Sequence, residues 1–275
     1  MAVLSTQTPP PPTPEFLDLS LPKPHVLLIR MNRPKALNAL SVSALREMDA
    51  VLRWFESEIT LLVAVLTGTG RAFCAGADLK HWRRTLTGES TELFSDLESL
   101  SRRTGVKPII AAINGLALGG GFEFAVNCDL VVAAESAVFG LPEVKRGIAP
   151  NGGVLSRLVS TVGMQIASEI VLTGRQISAR EMHGWGLVNQ VVSSNQLVDA
   201  ALRLAELITP NSPDGVICAR AGLRQAWKTA DVDEATNIWL RDHFAKLEKG
   251  HNAKEGLSAF VEKRAPQWKW GKSLL

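Results

Sequence analysis

Three short apolar runs govern what this chain can fold into. Residues 61–67, 108–113 and 130–134 are apolar almost throughout, instead of alternating with polar residues. Such runs are too short to span a membrane and read as strands buried on both faces, which need helices packed above and below them. The first run closes in Gly68-Thr69-Gly70, a turn. Residues 25–31 read as a further strand, and another is expected near 187–192. Helical spacing appears between them. In 41–55, Ser41 can cap a helix whose Val42, Leu45, Met48, Val51, Leu52 and Phe55 fall on one face. Helical patterns dominate from residue 152 onward, and about seventy C-terminal residues are mainly helical. Strands alternating with helices indicate an α/β core.

Length and charge narrow the class. A chain of 275 residues with 46% hydrophobic content can bury one large domain, with or without an appended helical segment. The net charge of +3 is spread along the chain and forms no dense basic stripe, which argues against a nucleic-acid partner. Three separated cysteines, Cys74, Cys128 and Cys218, suit neither a disulfide framework nor a zinc site, so a reducing compartment is expected. The N-terminal stretch lacks the features of a secretory signal and has no arginine before Arg30. The ending Ser273-Leu274-Leu275 falls one residue short of the peroxisomal tripeptide. The expected setting is the cytosol or the peroxisome, with no membrane partner. Pro9 to Pro12 and Pro14 predict a loose arm over 1–22. Residues 79–104, polar and irregular around Trp82, predict a segment that lines or covers a pocket. No long internal repeat is visible.

Three segments can carry chemistry. Arg71-Ala72-Phe73-Cys74-Ala75-Gly76-Ala77-Asp78-Leu79 places small residues directly after a buried strand, where a ligand could reach backbone amides. Asn114-Gly115-Leu116-Ala117-Leu118-Gly119-Gly120-Gly121-Phe122-Glu123 sets three glycines before a helix with an acidic first turn. Phe139-Gly140-Leu141-Pro142-Glu143 again suggests a helix start, with Pro142 in the first position. Taken singly, each reads first as a tight turn or as a carboxylate complementing a helix dipole. Neither glycine cluster fits a dinucleotide fingerprint, Gly271-Lys272-Ser273 lacks the upstream glycine of a phosphate loop, and the scattered histidines, His81 included, form no metal motif.

In order along the chain, these segments resemble the crotonase superfamily, the enoyl-CoA hydratase/isomerase family. The resemblance covers residues 25–268. It starts at Asn32-Arg33-Pro34-Lys35-Ala36-Leu37-Asn38-Ala39-Leu40 and runs through Ala75-Gly76-Ala77-Asp78-Leu79 and Ala117-Leu118-Gly119-Gly120-Gly121. It continues with Leu172-Thr173-Gly174-Arg175 and Gly186-Leu187-Val188, and ends in Glu255-Gly256-Leu257-Ser258-Ala259-Phe260-Val261-Glu262-Lys263-Arg264. The resemblance implies a spiral of strand-strand-helix units over 23–205, and a helical C-terminal region over 206–275 used in trimers or hexamers. It implies an acyl-CoA substrate whose thioester oxygen is held by the N–H groups of Ala77 and Gly120. It implies no cofactor or metal, coenzyme A being part of the substrate. Lys35, Ala36, Ala75, Asp78, Leu79 and Lys80, with Phe260 and Lys263, are the implied contacts to the substrate and its CoA.

Within this family the carboxylates vary, and here both decisive positions are glutamate. Glu123 is expected to orient and activate water, and Glu143 to move a proton at the α-carbon. The pair points to hydration of a 2-enoyl-CoA. Double-bond isomerisation, which needs one carboxylate, and a non-catalytic acyl-CoA-binding subunit remain alternatives. Ala149-Pro150-Asn151 before Gly152-Gly153 departs from the proline and Gly-Ala-Gly-Gly of many hydratases, and the chain has no tyrosine. These departures suggest an unusual acyl group.

Overall fold

The apolar runs become the middle of a six-stranded sheet. The computed structural model describes residues 6–13, 15–78, 83, 87, 100 and 104–271. In chain order the strands are β1 (Leu17–Lys23), β2 (Val26–Met31), β3 (Val63–Gly68), β4 (Ala72–Cys74), β5 (Ile109–Ile113), β6 (Leu116–Leu118), β7 (Leu130–Ala134), β8 (Val138–Gly140), β9 (Ile177–Ser178) and β10 (Gln190–Val192). One sheet runs β1-β2-β3-β5-β7-β10 and a second, smaller sheet runs β4-β6-β8-β9. From β2 to β10 the first sheet is parallel, and every residue of β3 and β5 is buried. That is the condition anticipated by continuous apolar runs.

The chain alternates between the sheets. After β3 it turns a short corner into β4, after β5 into β6, and after β7 into β8, so each turn of a spiral gives one strand to each sheet. The repetition is geometric, and no sequence repeat accompanies it. The strands of the second sheet lie in segments the sequence marks as turns.

Helix α1 (Val42–Ser57) starts where Ser41 accepts a hydrogen bond from the Ala44 N–H at 3.1 Å, and it buries the face expected of it, with Ala44 in addition. Helices α2 (Gly120–Asn127), α3 (Val154–Val162), α4 (Met164–Thr173), α5 (Ala179–Gly184) and α6 (Leu197–Ile208) follow, α6 lying on β3, β5 and β7. The C-terminal region holds α7 (Pro213–Gln225), α8 (Val232–Trp239), a π turn over Leu240–Phe244, α9 (Ala245–Leu247) and α10 (His251–Glu262). It folds back on its own chain. Trp268 donates to the Pro210 carbonyl at 2.7 Å, and Trp270 stacks on His25 with ring centres 3.7 Å apart. Among the described residues no helix is long and apolar enough to cross a membrane.

The expected loose arm ends earlier than residue 22. Leu17–Lys23 pairs antiparallel with β2, and Phe16 and Leu17 are buried. Leu17, Leu19 and Leu21 alternate with polar residues, a strand pattern that the neighbouring prolines obscure. Pro22 is tolerated because β1 is an edge strand and its register breaks between Ser20 and Lys23. Upstream, Glu58 accepts from the Gln7 and Thr8 amides and from the Thr8 hydroxyl, at 2.7–3.1 Å. Burial acts to raise the Glu58 pKa, but hydrogen bonds from Thr60, Thr8 and Gln7 outweigh it and pull the carboxyl down to about 2.

Candidate active site

The site begins with two residues in an unusual backbone state. Leu37 and Asn38 both have φ of 54°. Left-handed backbone costs an ordinary L-residue roughly 1–2 kcal/mol. Asn38 offsets this from a fully buried position: its Oδ1 accepts from the Arg33 N–H at 2.8 Å, and its Nδ2 donates to Thr69 and Ala72 carbonyls at 3.1 and 2.8 Å. The 32–40 segment is thereby fastened to the corner between the two sheets. It delivers Leu40 into an isolated parallel bridge with Ala77. The Leu40 N–H donates to the Gly76 carbonyl at 2.8 Å, and the Asp78 N–H donates to the Leu40 carbonyl at 2.9 Å. In such a bridge the N–H of the intervening residue, Ala77, points to the other side.

Gly120 lies near that amide. β6 ends at Leu118, Gly119 serves as N-cap with φ 53° and ψ −125°, and α2 begins at Gly120, inside the glycine run and not after it. Only glycine adopts the Gly119 backbone readily. A Cβ on Gly120 would stand 3.8 Å from the Gly76 Cα and 3.9 Å from the Ala77 nitrogen. At the first position of a helix the Gly120 N–H has no intrahelical acceptor. Two amide donors therefore lie close together at the start of a helix, where negative charge is favoured.

The carboxylates come from different layers. Glu123 sits in the first turn of α2, buried, with its own N–H donating to the Gly119 carbonyl at 2.9 Å. Glu143 sits on a 3-10 turn, Pro142–Arg146, directly after β8. It reaches back over the N-cap: a Cβ on Gly119 would lie 3.0 Å from the Glu143 Oε1. Glu143 is half-buried, and its Oε2 is buried with no hydrogen-bond partner among the described residues. Burial pushes its pKa up to about 7; the negative charge of Glu123 adds to the rise, against a backbone hydrogen bond that lowers it. Glu143 is thus more than a carboxylate complementing a helix dipole at the surface. A carboxyl poised near neutrality can give or take a proton at working pH.

Ala77, Gly120, Glu123 and Glu143 are thus gathered, with Ala75 and Asp78 on the same strand extension. The Ala75 N–H donates to the Leu37 carbonyl at 3.0 Å. Lys35 and Ala36 form a 3-10 turn, Pro34–Ala36, immediately before the strained pair. Leu79 and Lys80, like His81 and Trp82, lie outside the described residues. Phe260 and Lys263 are not gathered: Phe260 is 84% exposed on α10, and Lys263 caps that helix in the left-handed region. Asn38 and Leu40 escaped sequence reasoning as building blocks of the site. Asparagine's tolerance of left-handed backbone was the available signal.

Comparison with known proteins places the chain in a family. A family model described as enoyl-CoA hydratase/isomerase matches residues 23–271. The chain is 48% identical over 262 residues to a mevalonyl-coenzyme A hydratase of Aspergillus fumigatus, covering 94% of this chain and 96% of that one. It is 46% identical to the protein of the same description in Beauveria bassiana, covering 96% and 98%. The crystal structure of an enoyl-CoA hydratase from Mycobacterium tuberculosis superposes with a TM-score of 0.84 at 36% identity, over 93% of this chain and 99% of that one. The chain belongs to the enoyl-CoA hydratase/isomerase family, within the crotonase superfamily that its sequence resembles.

Proposed function

We propose that the protein catalyses the reversible addition of water to a 2-enoyl-CoA, and that its acyl group is branched and hydroxylated, of the mevalonyl type. The observation that carries the reaction is Glu143. Its half-buried carboxyl, with a pKa near neutrality, leans over Gly119 beside two amide donors and a second glutamate. In the forward direction the thioester oxygen accepts hydrogen bonds from the Ala77 and Gly120 N–H groups. Glu123 takes a proton from water as its oxygen bonds to the β-carbon, and charge builds on the thioester oxygen. Protonated Glu143 then gives its proton to the α-carbon, and transfer from Glu123 to Glu143 restores both groups. Each amide donor aimed at such an oxyanion is worth roughly 3 kcal/mol of barrier.

The acyl group rests on the two relatives described as mevalonyl-coenzyme A hydratases, which align with this chain over nearly its full length. The Ala149-Pro150-Asn151 departure falls on the segment leaving the Glu143 turn, where the acyl pocket would be shaped. Lys35, Ala36, Ala75, Asp78, Leu79 and Lys80 hold the substrate and its CoA, and Phe260 and Lys263 reach it from a neighbouring subunit of a homotrimer or hexamer. The spiral core, extended upstream of residue 23 by the paired strand β1, runs to residue 205, and the helical region covers 206–275. The reaction uses no cofactor beyond the coenzyme A of its substrate, and its setting is the cytosol or the peroxisome.

The test is a competition between acyl groups. Mevalonyl-CoA should be dehydrated to a conjugated enoyl thioester, with kcat/KM at least about tenfold above that for an unbranched 3-hydroxyacyl-CoA. The opposite ranking would leave the hydratase reading standing and remove the mevalonyl one. No turnover of either thioester would remove both.

A further inference from the structure

The two carboxylate carriers are joined by a route that leaves the substrate site. Helix α2, which bears Gly120 and Glu123, is held at its far end by Arg224 of α7: one guanidinium nitrogen donates to the Asn127 carbonyl and another to the Asn127 side chain at 3.2 Å. Asp129 accepts from Arg220 at 2.8 Å and from Arg224 at 3.3 Å, which fixes both arginines. The segment that bears Glu143 is held differently. Its turn continues through Ile148, whose N–H donates to the Glu143 carbonyl at 3.2 Å, to Gly152, whose carbonyl accepts from Arg157 of α3 at 3.2 Å.

Both holding arginines meet one indole. The Arg224 guanidinium lies 4.9 Å from the Trp227 ring centre and the Arg157 guanidinium 5.4 Å from it. Both are within the roughly 6 Å over which a cation is attracted to an aromatic face. The indole thus contacts both holding guanidiniums and links them. Trp227 itself is 37% exposed, in the turn after α7, so its ring is not needed to fill the core.

We infer that Trp227 is a positioning residue: through Arg224 and Arg157 it sets the placement of the Glu123 helix relative to the Glu143 turn. The inference rests on the proposed hydratase chemistry for its kinetic readout, but not for its spectroscopic one. Removing the indole removes that shared contact and loosens the turn from the helix. Glu143 then gains water. Among the described residues, Glu123 is the charged group that acts on it from a neighbouring element.

The experiment compares wild type with Trp227→Leu, Trp227→Phe and Arg157→Gln, each checked for intact fold by circular dichroism. Hydration of a 2-enoyl-CoA is measured across pH, and the Glu143 carboxyl is titrated by carbon-13 NMR without substrate, assigned through Glu143→Gln. Trp227→Leu should lower kcat about tenfold or more, with KM within about twofold, since small misplacements at the reacting atoms are costly. It should also move the Glu143 titration down towards the ordinary carboxylate range. Phe, which keeps an aromatic face, should restore most of both effects. Arg157→Gln should reproduce the Leu variant, and combining the two should add little, as for groups acting as a unit. If Trp227→Leu folds and leaves both the Glu143 titration and kcat at wild-type values, or only lowers the melting temperature, the inference is overturned. Absence of turnover in wild type would sink the hydratase reading instead, and the NMR titration would still decide the role of Trp227.

Discussion

The two sheets do different work with different kinds of residue. The six-stranded sheet has at its centre β2, β3, β5 and β7, apolar strands of five or six residues that are almost wholly buried, and none of its strands carries a carboxylate of the proposed site. The four-stranded sheet has strands of two or three residues, and its ends hold the groups of the proposed site: Ala77 lies just beyond β4, Gly120 and Glu123 just beyond β6, and Glu143 just beyond β8. One spiral turn after another thus places a functional group at equivalent ends of a thin layer, while the thick layer supplies rigidity. Stability and reactivity should be separable along this division.

The largest effect is expected at Glu143. Glu143→Gln keeps the shape of the side chain but cannot exchange a proton, and hydration should fall about 10³-fold with the fold intact. On the other side of the comparison, Ile110→Ala in β5 leaves a cavity in a fully buried strand. It should cost roughly 3–4 kcal/mol in chemical unfolding while the remaining folded protein keeps its kcat. If kcat fell as well, the thick sheet would be part of the catalytic apparatus and the division would break.

Neighbouring glycines sharpen it further. A Cβ on Gly120 would meet only the flexible end of Leu40, at 3.2 Å, but would stand beside the Ala77 amide. Gly120→Ala should therefore fold and lose about 10²-fold in kcat through a disturbed oxyanion donor. One residue on, a Cβ at Gly121 would collide with the Cys74 carbonyl oxygen, a backbone atom. Gly121→Ala should be lost to expression or unfold at much lower denaturant.

The raised Glu143 pKa has a signed consequence for stability. The carboxyl ordinarily titrates near 4.5 and is pushed up to about 7 in the fold. Between those values the native state holds more protons than the unfolded one, so stability is present below the lower value and is lost as pH rises through the upper. Glu143→Gln does not suffer that loss. It should match wild type near pH 4 and exceed it near pH 8 by up to roughly 3 kcal/mol. Equal stability at both ends would mean the carboxyl is well hydrated.

The smallest effect is at the arm. Glu58→Gln keeps some hydrogen bonds to Thr8 and Thr60 but loses the charge, so a loss of about 1 kcal/mol is expected, with faster proteolysis ahead of β1 and unchanged kcat. The wild-type contribution of Glu58 is present above pH 4.5 and is lost as pH falls towards about 2.

The same division decides what could be read from the sequence. β3, β5 and β7 announce themselves because five or six apolar residues in a row leave few alternatives. β4, β6, β8 and β9 are too short for any periodicity to register, and their Ala, Gly and Cys content reads as turn. The proposed site could be read from its glycines and acids because close backbone approach and proton transfer call for those residue types. Asn38 and Trp227 were not, since their roles depend on partners 31 to 34 residues away in one case and across three helices in the other. β1 was hidden by the prolines beside it.

The most direct test of the account is the pH dependence of kcat/KM for hydration of a 2-enoyl-CoA by wild type and Glu143→Gln, followed by loss of the conjugated thioester absorbance and formation of the 3-hydroxyacyl-CoA. The account predicts wild-type activity that declines as pH rises past about 7, and a variant about 10³-fold slower without that decline. A variant that hydrates at the wild-type rate with the wild-type profile would contradict it.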